Sequence, residues 1–342
     1  MTHVRIARKT LAGLSLDVDF PIGAGVTTLY GPAGAGKSLL LELVAGFVRP
    51  DSGRILLDDA ILFDAAAGVA VPPRRRGIGY VFQRDGLFPH MTLEANLAFA
   101  AHAWPPLERH RRVAEMLDKF ELVAAAGLRP AMATPDQRLR CAVARALVGA
   151  PRLLLIDDAG VDEALLTRIR AEFANPIVLV TSDLDLCAAV ASELILLRAG
   201  RIVQRGNPRA VLDVPESVEA AQLLGIPNLF EGSIGALDPG RNSSRLEFAG
   251  FALNGPYVRG HFRGDHVTVT VRPEALRVHS GEEPAAENFV AARLLRVSRR
   301  MRYVRLEFAG GIYADIGHDE YARQEGNREW QVEFPVESLR VL

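Results

Sequence analysis

The sequence predicts an α/β domain built on a mainly parallel sheet, followed by a smaller all-β domain. Three observations carry that prediction. Short apolar runs alternate with longer helical patterns through the first two-thirds of the 342 residues, as in strands joined by crossover helices. After about Ile226 the texture changes to short alternating strands separated by turn residues. This second part also repeats itself. The expected domains are residues 1–226 and 227–342, a length that supports two separate cores.

The elements follow in order. Val26–Tyr30 reads as a strand and residues 38–47 as the helix after it. Residues 78–82 form another strand, and residues 93–103, 106–120 and 137–148 read as helices. Leu153-Leu-Leu-Ile156 and Ile177-Val-Leu-Val180 are continuous apolar runs, as expected of strands buried on both faces. Residues 194–197 and 201–204, separated by Ala199-Gly200, read as a hairpin. In the second part, Val267, Val269 and Val271 alternate with Thr268 and Thr270, a half-buried strand. Arg245-Leu-Glu-Phe-Ala-Gly250 recurs unchanged as Arg305-Leu-Glu-Phe-Ala-Gly310, and Glu274-Ala-Leu-Arg-Val278 is echoed by Glu337-Ser-Leu-Arg-Val341. Phe230 and Phe289 open the two copies. Two related β modules, about residues 230–280 and 287–342, are expected to pack as one barrel-like domain.

A net charge of -1 gives no electrostatic footprint for a dedicated nucleic-acid or membrane-surface binder. Cys141 and Cys187 are too few and too scattered for a disulfide framework or a zinc site, which favours a reducing compartment. The first ten residues hold no apolar stretch suited to a signal peptide, and no run approaches the length needed to span a bilayer. Any membrane role is expected to come through a partner that supplies the spanning helices.

Gly31, Pro32, Ala33, Gly34, Ala35, Gly36, Lys37 and Ser38 fit G-x-x-x-x-G-K-[ST] between a strand and an apolar helix, the context this phosphate-binding motif requires. Glycines let the loop turn tightly and aim backbone N–H groups at phosphate oxygens. The following helix adds its positive dipole end. Lys37 is expected to reach the β- and γ-phosphates of ATP, and Ser38 to ligate Mg2+. Asp157, ending an apolar strand, stands where the metal-binding carboxylate of a phosphate-loop NTPase belongs.

Tyr80-Val-Phe-Gln83 with Gly86-Leu-Phe-Pro-His90 resembles the glutamine loop of the ABC ATPases. The stretch from Gln137 to Leu147 resembles the helix after that family's signature sequence. Asp157-Asp158 and Ala199-Gly-Arg-Ile-Val203 match its acidic pair and terminal hairpin. The resemblance covers residues 1 to about 225. It implies a P-loop NTPase domain that binds ATP and Mg2+, with Gln83 reaching the metal and the attacking water. It further implies a head-to-tail homodimer or ABC heterodimer and a transmembrane permease touched by the flank of Gln83. A periplasmic binding protein would be an indirect partner, and the chain would lie on the cytoplasmic face of the inner membrane, touching it only through the permease. Leu62-Phe-Asp64 with the stretch from Val71 to Tyr80 looks most like the molybdate importers. The paired modules resemble the oligonucleotide-fold (TOBE) domain of importers for molybdate, sulfate, iron, polyamine and maltose.

The chain departs from this family at three sites. Where the signature reads Leu-Ser-Gly-Gly-Gln, this chain has Ala133-Thr-Pro-Asp-Gln137. Thr134 and Gln137 keep polar side chains, but Pro135 removes a donor and Asp136 brings a carboxylate toward the partner's γ-phosphate. Two like charges about 4 Å apart repel by about 4 kcal/mol at an effective dielectric near 20. The alternative is that Thr134 or Asp136 caps the following helix. Asp158 replaces the family's Glu general base, drawing the carboxylate back by roughly 1.5 Å. Ser182 stands where the switch histidine belongs, and no histidine occurs between His110 and His261. Asp162 keeps the D-loop position in a shortened loop, and no aromatic residue before Val18 is available to stack on adenine. Slow hydrolysis is expected, with Asp158, Gln83 and Ser182 as the catalytic positions.

Three lesser features complete the reading. Arg293, Arg296, Arg299, Arg300, Arg302 and Arg305 form a basic stretch, either a solvated face or an oxyanion or RNA surface. Arg74-Arg-Arg76 is expected in a polar loop. His90, His102 and His110 lack metal-ligand spacing. The rival functions are a regulatory or structural ABC protein that binds ATP without powering transport, and an oxyanion sensor built on the β modules.

Overall fold

The computed structural model describes residues 2–9, 13–280, 287–326 and 329–342; the rest of the N-terminal stretch considered above lies outside the described residues. The chain divides into two compact units, Met1–Asp213 and Val214–Leu342. Among the described residues, no helix is long and apolar enough to cross a membrane.

The first unit contains β1 (Thr2–Lys9), β2 (Ser15–Ile22), β3 (Val26–Tyr30), α1 (Lys37–Ala45), β4 (Ser52–Leu57), β5 (Ala60–Asp64) and β6 (Val69–Ala70). It continues with β7 (Ile78–Val81), α2 (Leu93–Ala100), α3 (Pro106–Lys119), α4 (Pro135–Leu147), β8 (Leu153–Asp157), α5 (Glu163–Glu172), β9 (Ile177–Val180), α6 (Leu184–Val190), β10 (Glu193–Arg198), β11 (Arg201–Gly206) and α7 (Pro208–Asp213). The strands form one sheet in the order β6-β5-β4-β1-β2-β11-β10-β3-β9-β8-β7. The run β10-β3-β9-β8-β7 is parallel throughout, as the apolar runs predict. The wing β6-β5-β4-β1-β2 is antiparallel and is not anticipated above, although β2 carries a clear signal. Leu16, Val18, Phe20 and Ile22 are buried while Asp17 and Asp19 between them are exposed.

Period-two alternation also builds the two cores. Leu154 and Ile156 face one side of the sheet with α2 to α6, while Leu153 and Leu155 face the other with α1 and the antiparallel wing. Burial on both faces is why the central strands read as continuous apolar runs.

The second unit holds α8 (Val218–Leu223), β12 (Asn228–Asp238), β13 (Ser243–Phe248), β14 (Phe251–Pro256), β15 (His266–Val271) and β16 (Arg277–Ser280). The second repeat supplies β17 (Phe289–Arg299), β18 (Val304–Phe308), β19 (Ile312–Ile316), α9 (His318–Ala322), β20 (Glu329–Glu333) and β21 (Arg340–Val341). Two five-stranded sheets result, ordered β14-β13-β12-β15-β21 and β16-β20-β17-β18-β19. Each repeated hexamer is a strand running into the turn after it, and each module carries one bulge, at Gly235 and at Leu295. The modules are not self-contained. β16 of the first pairs with β20 of the second, and β21 of the second pairs with β15 of the first. The echoed Glu-x-Leu-Arg-Val segments run into these exchanged strands, and one shared core holds Leu246, Leu306, Trp330 and Phe334. Within the basic stretch, Arg299 pairs with Glu325 and Arg305 with Asp315, while Arg293, Arg296, Arg300 and Arg302 are exposed.

Two buried asparagines join the modules. Asn228 donates to Tyr313 O at 2.8 Å and accepts from Tyr313 N at 2.7 Å. Asn288 donates to Asn254 O at 2.8 Å and accepts from Asn254 N at 2.6 Å. Each side-chain amide thus closes a two-bond ring onto the other module's third strand. Asn228 is fully buried and Tyr313 half-buried, so Asn228→Ala orphans both backbone groups of Tyr313 at roughly 1–2 kcal/mol each, the lower part of the range for buried groups. The expected loss is about 2–4 kcal/mol, read as an earlier urea midpoint for the C-terminal unit in the full chain.

Candidate functional site: a phosphate loop at the strand ends

The C-terminal ends of β3, β7, β8 and β9 lie along one edge of the parallel sheet, where α/β folds place their ligand crevices. Tyr30 leads into the 31–38 loop, Val81 leads toward Gln83, Asp157 ends β8, and Val180 leads to Ser182.

The loop depends on glycine at defined points. A Cβ on Gly31 would lie 2.0 Å from the carbonyl oxygen of Leu197 on β10, and Gly36 caps α1 with φ 101°. The hairpin turn also supports the loop, because Gly200 N donates to Ala35 O at 2.9 Å. The Lys37 ammonium donates to Gly31 O at 2.7 Å and Pro32 O at 2.9 Å. Burial lowers its pKa, opposed in part by Asp158 and then Asp157, so both carboxylates act on the same ammonium.

Ser38 Oγ donates to Asp157 Oδ1 at 2.8 Å, and Tyr80 Oη donates to Asp157 Oδ2 at 3.2 Å. Burial, with the charge of Asp157 beside it, holds the Tyr80 phenol far above its ordinary pKa, so it remains a donor. Glu42, one turn after Ser38 on α1, has its pKa raised by burial and by Asp157. Asp158 is half-buried, donates its N–H to Val180 O at 3.1 Å, and holds φ at 42°. Asp is one of the few non-glycine residues that enter this left-handed region readily.

Lys37, Ser38, Asp157 and Asp158 therefore meet. Gln83 and Ser182 are exposed at the same strand ends and make no hydrogen bond to that group. Thr134, Gln137 and Asp162 are occupied elsewhere. Thr134 Oγ1 accepts from Gln137 N at 3.1 Å and Gln137 Oε1 accepts from Thr134 N at 2.9 Å, a capping box at the start of α4. Pro135 occupies the first helical turn, where its missing N–H costs little. Asp136 is held by Arg140 one turn on, and Arg140 also reaches Glu121 at 2.7 Å. The repulsion expected from Asp136 is thus met by a guanidinium on its own helix. Asp162 caps α5, accepting from Leu165 N at 2.8 Å.

Sequence reasoning missed three residues around this site. Arg76 does not lie in a polar loop with Arg74 and Arg75; it is 3% exposed and bonds the last turn of α1. Asn96 is fully buried and holds the 88–92 segment through Phe88 and Thr92. Tyr80 bonds Asp157. A hydroxyl inside an otherwise apolar strand was the available signal for the last; for Arg76 no local pattern marks burial.

Comparison with known proteins fits this geometry. The ABC transporter family model matches residues 16–160. The molybdenum import ATP-binding protein ModC of Brucella melitensis is 33% identical over 322 residues, 84% of this chain and 87% of that protein. The chain belongs to the ABC transporter family.

Other ABC relatives agree. The molybdate/tungstate import ATP-binding protein WtpC of Archaeoglobus fulgidus is 39% identical over 232 residues, covering 65% of this chain and 94% of that protein. ModC of Rhodospirillum rubrum is 38% identical over 225 residues, 63% of this chain, which spans 60% of that protein's length. Among solved structures, cbiO1 of Clostridium perfringens, part of an ABC transporter complex, aligns with TM-score 0.54 at 26% identity, over 65% of this chain and 94% of that one. A dimeric ATP-binding cassette bound to ADP and Pi shares the ABC fold, with TM-score 0.52 at 23% identity, over 61% of this chain and 99% of that one.

Proposed function

We propose that the chain is the ATP-binding subunit of an ABC importer for molybdate or a related oxyanion, coupling ATP binding and slow hydrolysis to uptake. The observation that carries the reading is the phosphate loop with Lys37 and Ser38 set against Asp157 and Asp158 at the strand ends. Relatives named for molybdate and tungstate import support the cargo.

ATP phosphates would take the place of the Gly31 and Pro32 carbonyls as partners of Lys37, joined by backbone N–H groups of the loop. Ser38 Oγ and Asp157 Oδ1, hard oxygen donors 2.8 Å apart, suit Mg2+, which takes few protein ligands and keeps several waters. Bound there, Mg2+ would neutralise charge on the β- and γ-phosphates. Asp158 would orient the attacking water from a shorter side chain, and Ser182 would donate to the γ-phosphate without positive charge. Gln83 would approach from β7. In a dimer, Thr134 and Gln137 at the α4 N-terminus and Asp162 would face the partner's nucleotide, with Asp136 compensated by Arg140. A permease is the expected membrane partner, contacted through the segment from Gln83 to Thr92, and a periplasmic binding protein would deliver the oxyanion to it.

Steady-state ATP hydrolysis, measured alone and with the co-purified permease, tests the reading. Slow turnover stimulated by the permease and abolished by Lys37→Ala is expected. ATP binding with no turnover in either condition would favour a regulatory ABC protein instead.

A further inference from the structure

The Asp157 carboxylate is gripped from two sides by two different elements. Ser38 on α1 donates to Oδ1, and Tyr80 on β7 donates to Oδ2. Asp157 is 7% exposed and Tyr80 9%, so little water competes for either bond. A carboxylate held through one oxygen alone is free to rotate about its last torsion. Held through both, it has one orientation, with Oδ1 directed at Ser38.

The Tyr80 ring extends this contact to the glutamine loop. Its centroid lies 4.5 Å from Phe82 and 5.2 Å from Phe47, and Phe47 stacks on Phe82 at 5.8 Å. Phe82 immediately precedes Gln83 in the chain. Phe47 follows Gly46, the C-cap of α1, the helix that carries Lys37 and Ser38. Movement of the Gln83 segment therefore shifts a ring packed on Tyr80, and Tyr80 holds the carboxylate.

We propose that Tyr80 is a positioning residue for Mg2+ binding, orienting Asp157 through Oδ2 and linking that orientation, through Phe82, to the glutamine loop. The inference rests on the ATP–Mg2+ reading of the site. Hydrogen-bonding residues just behind a metal ligand, when replaced, commonly cost about 10–100-fold in metal affinity. Tyr80→Phe keeps the ring and its packing and deletes only the hydroxyl.

The test uses the full chain and Mn2+ as the spectroscopic probe. Mn2+ affinity is read by electron paramagnetic resonance in the presence of a non-hydrolysable ATP analogue, and metal-free affinity for a fluorescent ATP by direct titration. Tyr80→Phe is expected to weaken Mn2+ binding about tenfold while leaving metal-free nucleotide affinity within about twofold, at the low end of that range. Phe82→Ala should weaken Mn2+ by a smaller factor that is not additive with Tyr80→Phe, since the two side chains act through one contact. Ser38→Ala separates the two readings. If Ser38→Ala loses Mn2+ and Tyr80→Phe matches the wild type, the role of Tyr80 is overturned while the site stands. If the wild type itself shows no Mn2+-dependent binding, both fall.

Discussion

Replacing Asp158 with Glu is expected to raise the rate of ATP hydrolysis about tenfold. Two effects of opposite sign set that figure. The longer side chain restores about 1.5 Å of reach toward the water, and a misplacement of about 1 Å costs on the order of 100-fold in rate. Against this, Asp158 holds φ at 42°, and a residue other than Gly, Asn or Asp pays roughly 1–2 kcal/mol in the left-handed region. A penalty of about 1.4 kcal/mol is one factor of ten, which leaves roughly tenfold of the gain if it falls on the reacting geometry. The backbone thus offers a reason for aspartate here: Asp158 N is tied to Val180 O in a turn that Asp tolerates better than Glu. With Asp158 in the proposed water-orienting role, Asp158→Asn should remove turnover and leave nucleotide binding in place. Single-turnover and steady-state assays in parallel, with Lys37→Ala as the blank, read both. A rate unchanged or lowered in Asp158→Glu would mean that the shorter carboxylate is already at working distance.

How much of this was legible in the sequence depends on whether the physical cause was local. The phosphate loop is a local cause: glycine spacing, one lysine and one hydroxyl between a strand and a helix. The buried strands β8 and β9 are also local, because burial on both faces demands an unbroken apolar run. The hairpin at Ala199-Gly200 is read correctly because both turn residues take positive φ, as a tight two-residue connection requires. Strand exchange between the β modules is different. The segments that run into β16 and β21 share Glu-x-Leu-Arg-Val, so pairing within a module or across modules satisfies the same pattern. The Asp136–Arg140 pair lies between these cases. Its i,i+4 spacing is visible in the sequence, but the spacing alone does not decide between a helix neighbour and a partner's phosphate for the carboxylate. Tyr80 and Arg76 were hidden for the most general reason. What a polar side chain touches depends on packing against a strand or helix far away in the chain, whether it sits in an apolar strand, as Tyr80 does, or in a run of arginines, as Arg76 does.

Arg76 is where that hidden register carries the largest consequence for stability. Its guanidinium donates from Nη1 to Val44 O at 2.7 Å and Leu43 O at 3.1 Å, and from Nε to Val71 O at 2.8 Å. Burial lowers its pKa, and among the described residues no carboxylate pairs with it. The charge is instead balanced by the negative end of the α1 dipole and the carbonyls of its last turn. Space is made by Gly46, where a Cβ would fall 2.4 Å from Arg76 Nε. Arg76→Met leaves the volume and removes all three bonds, orphaning the Val44 and Val71 carbonyls; Leu43 O keeps Gly46 N at 3.2 Å. At roughly 1–3 kcal/mol for the orphaned buried Val44 carbonyl, and the low end of that range for the half-buried Val71 carbonyl, the variant is expected to lose about 2–4 kcal/mol. Arg74→Ala and Arg75→Ala, at exposed positions, should stay within about 0.5 kcal/mol of the parent. The same loss should reach the nucleotide. α1 presents Lys37 and Ser38 at its other end, so a helix loosened at its C-terminus holds the phosphate loop less well. Urea unfolding of the N-terminal unit and fluorescent ATP titration on the same samples check both effects. If Arg76→Met unfolds at the same urea concentration as Arg75→Ala, the buried guanidinium is not what anchors the phosphate-binding helix.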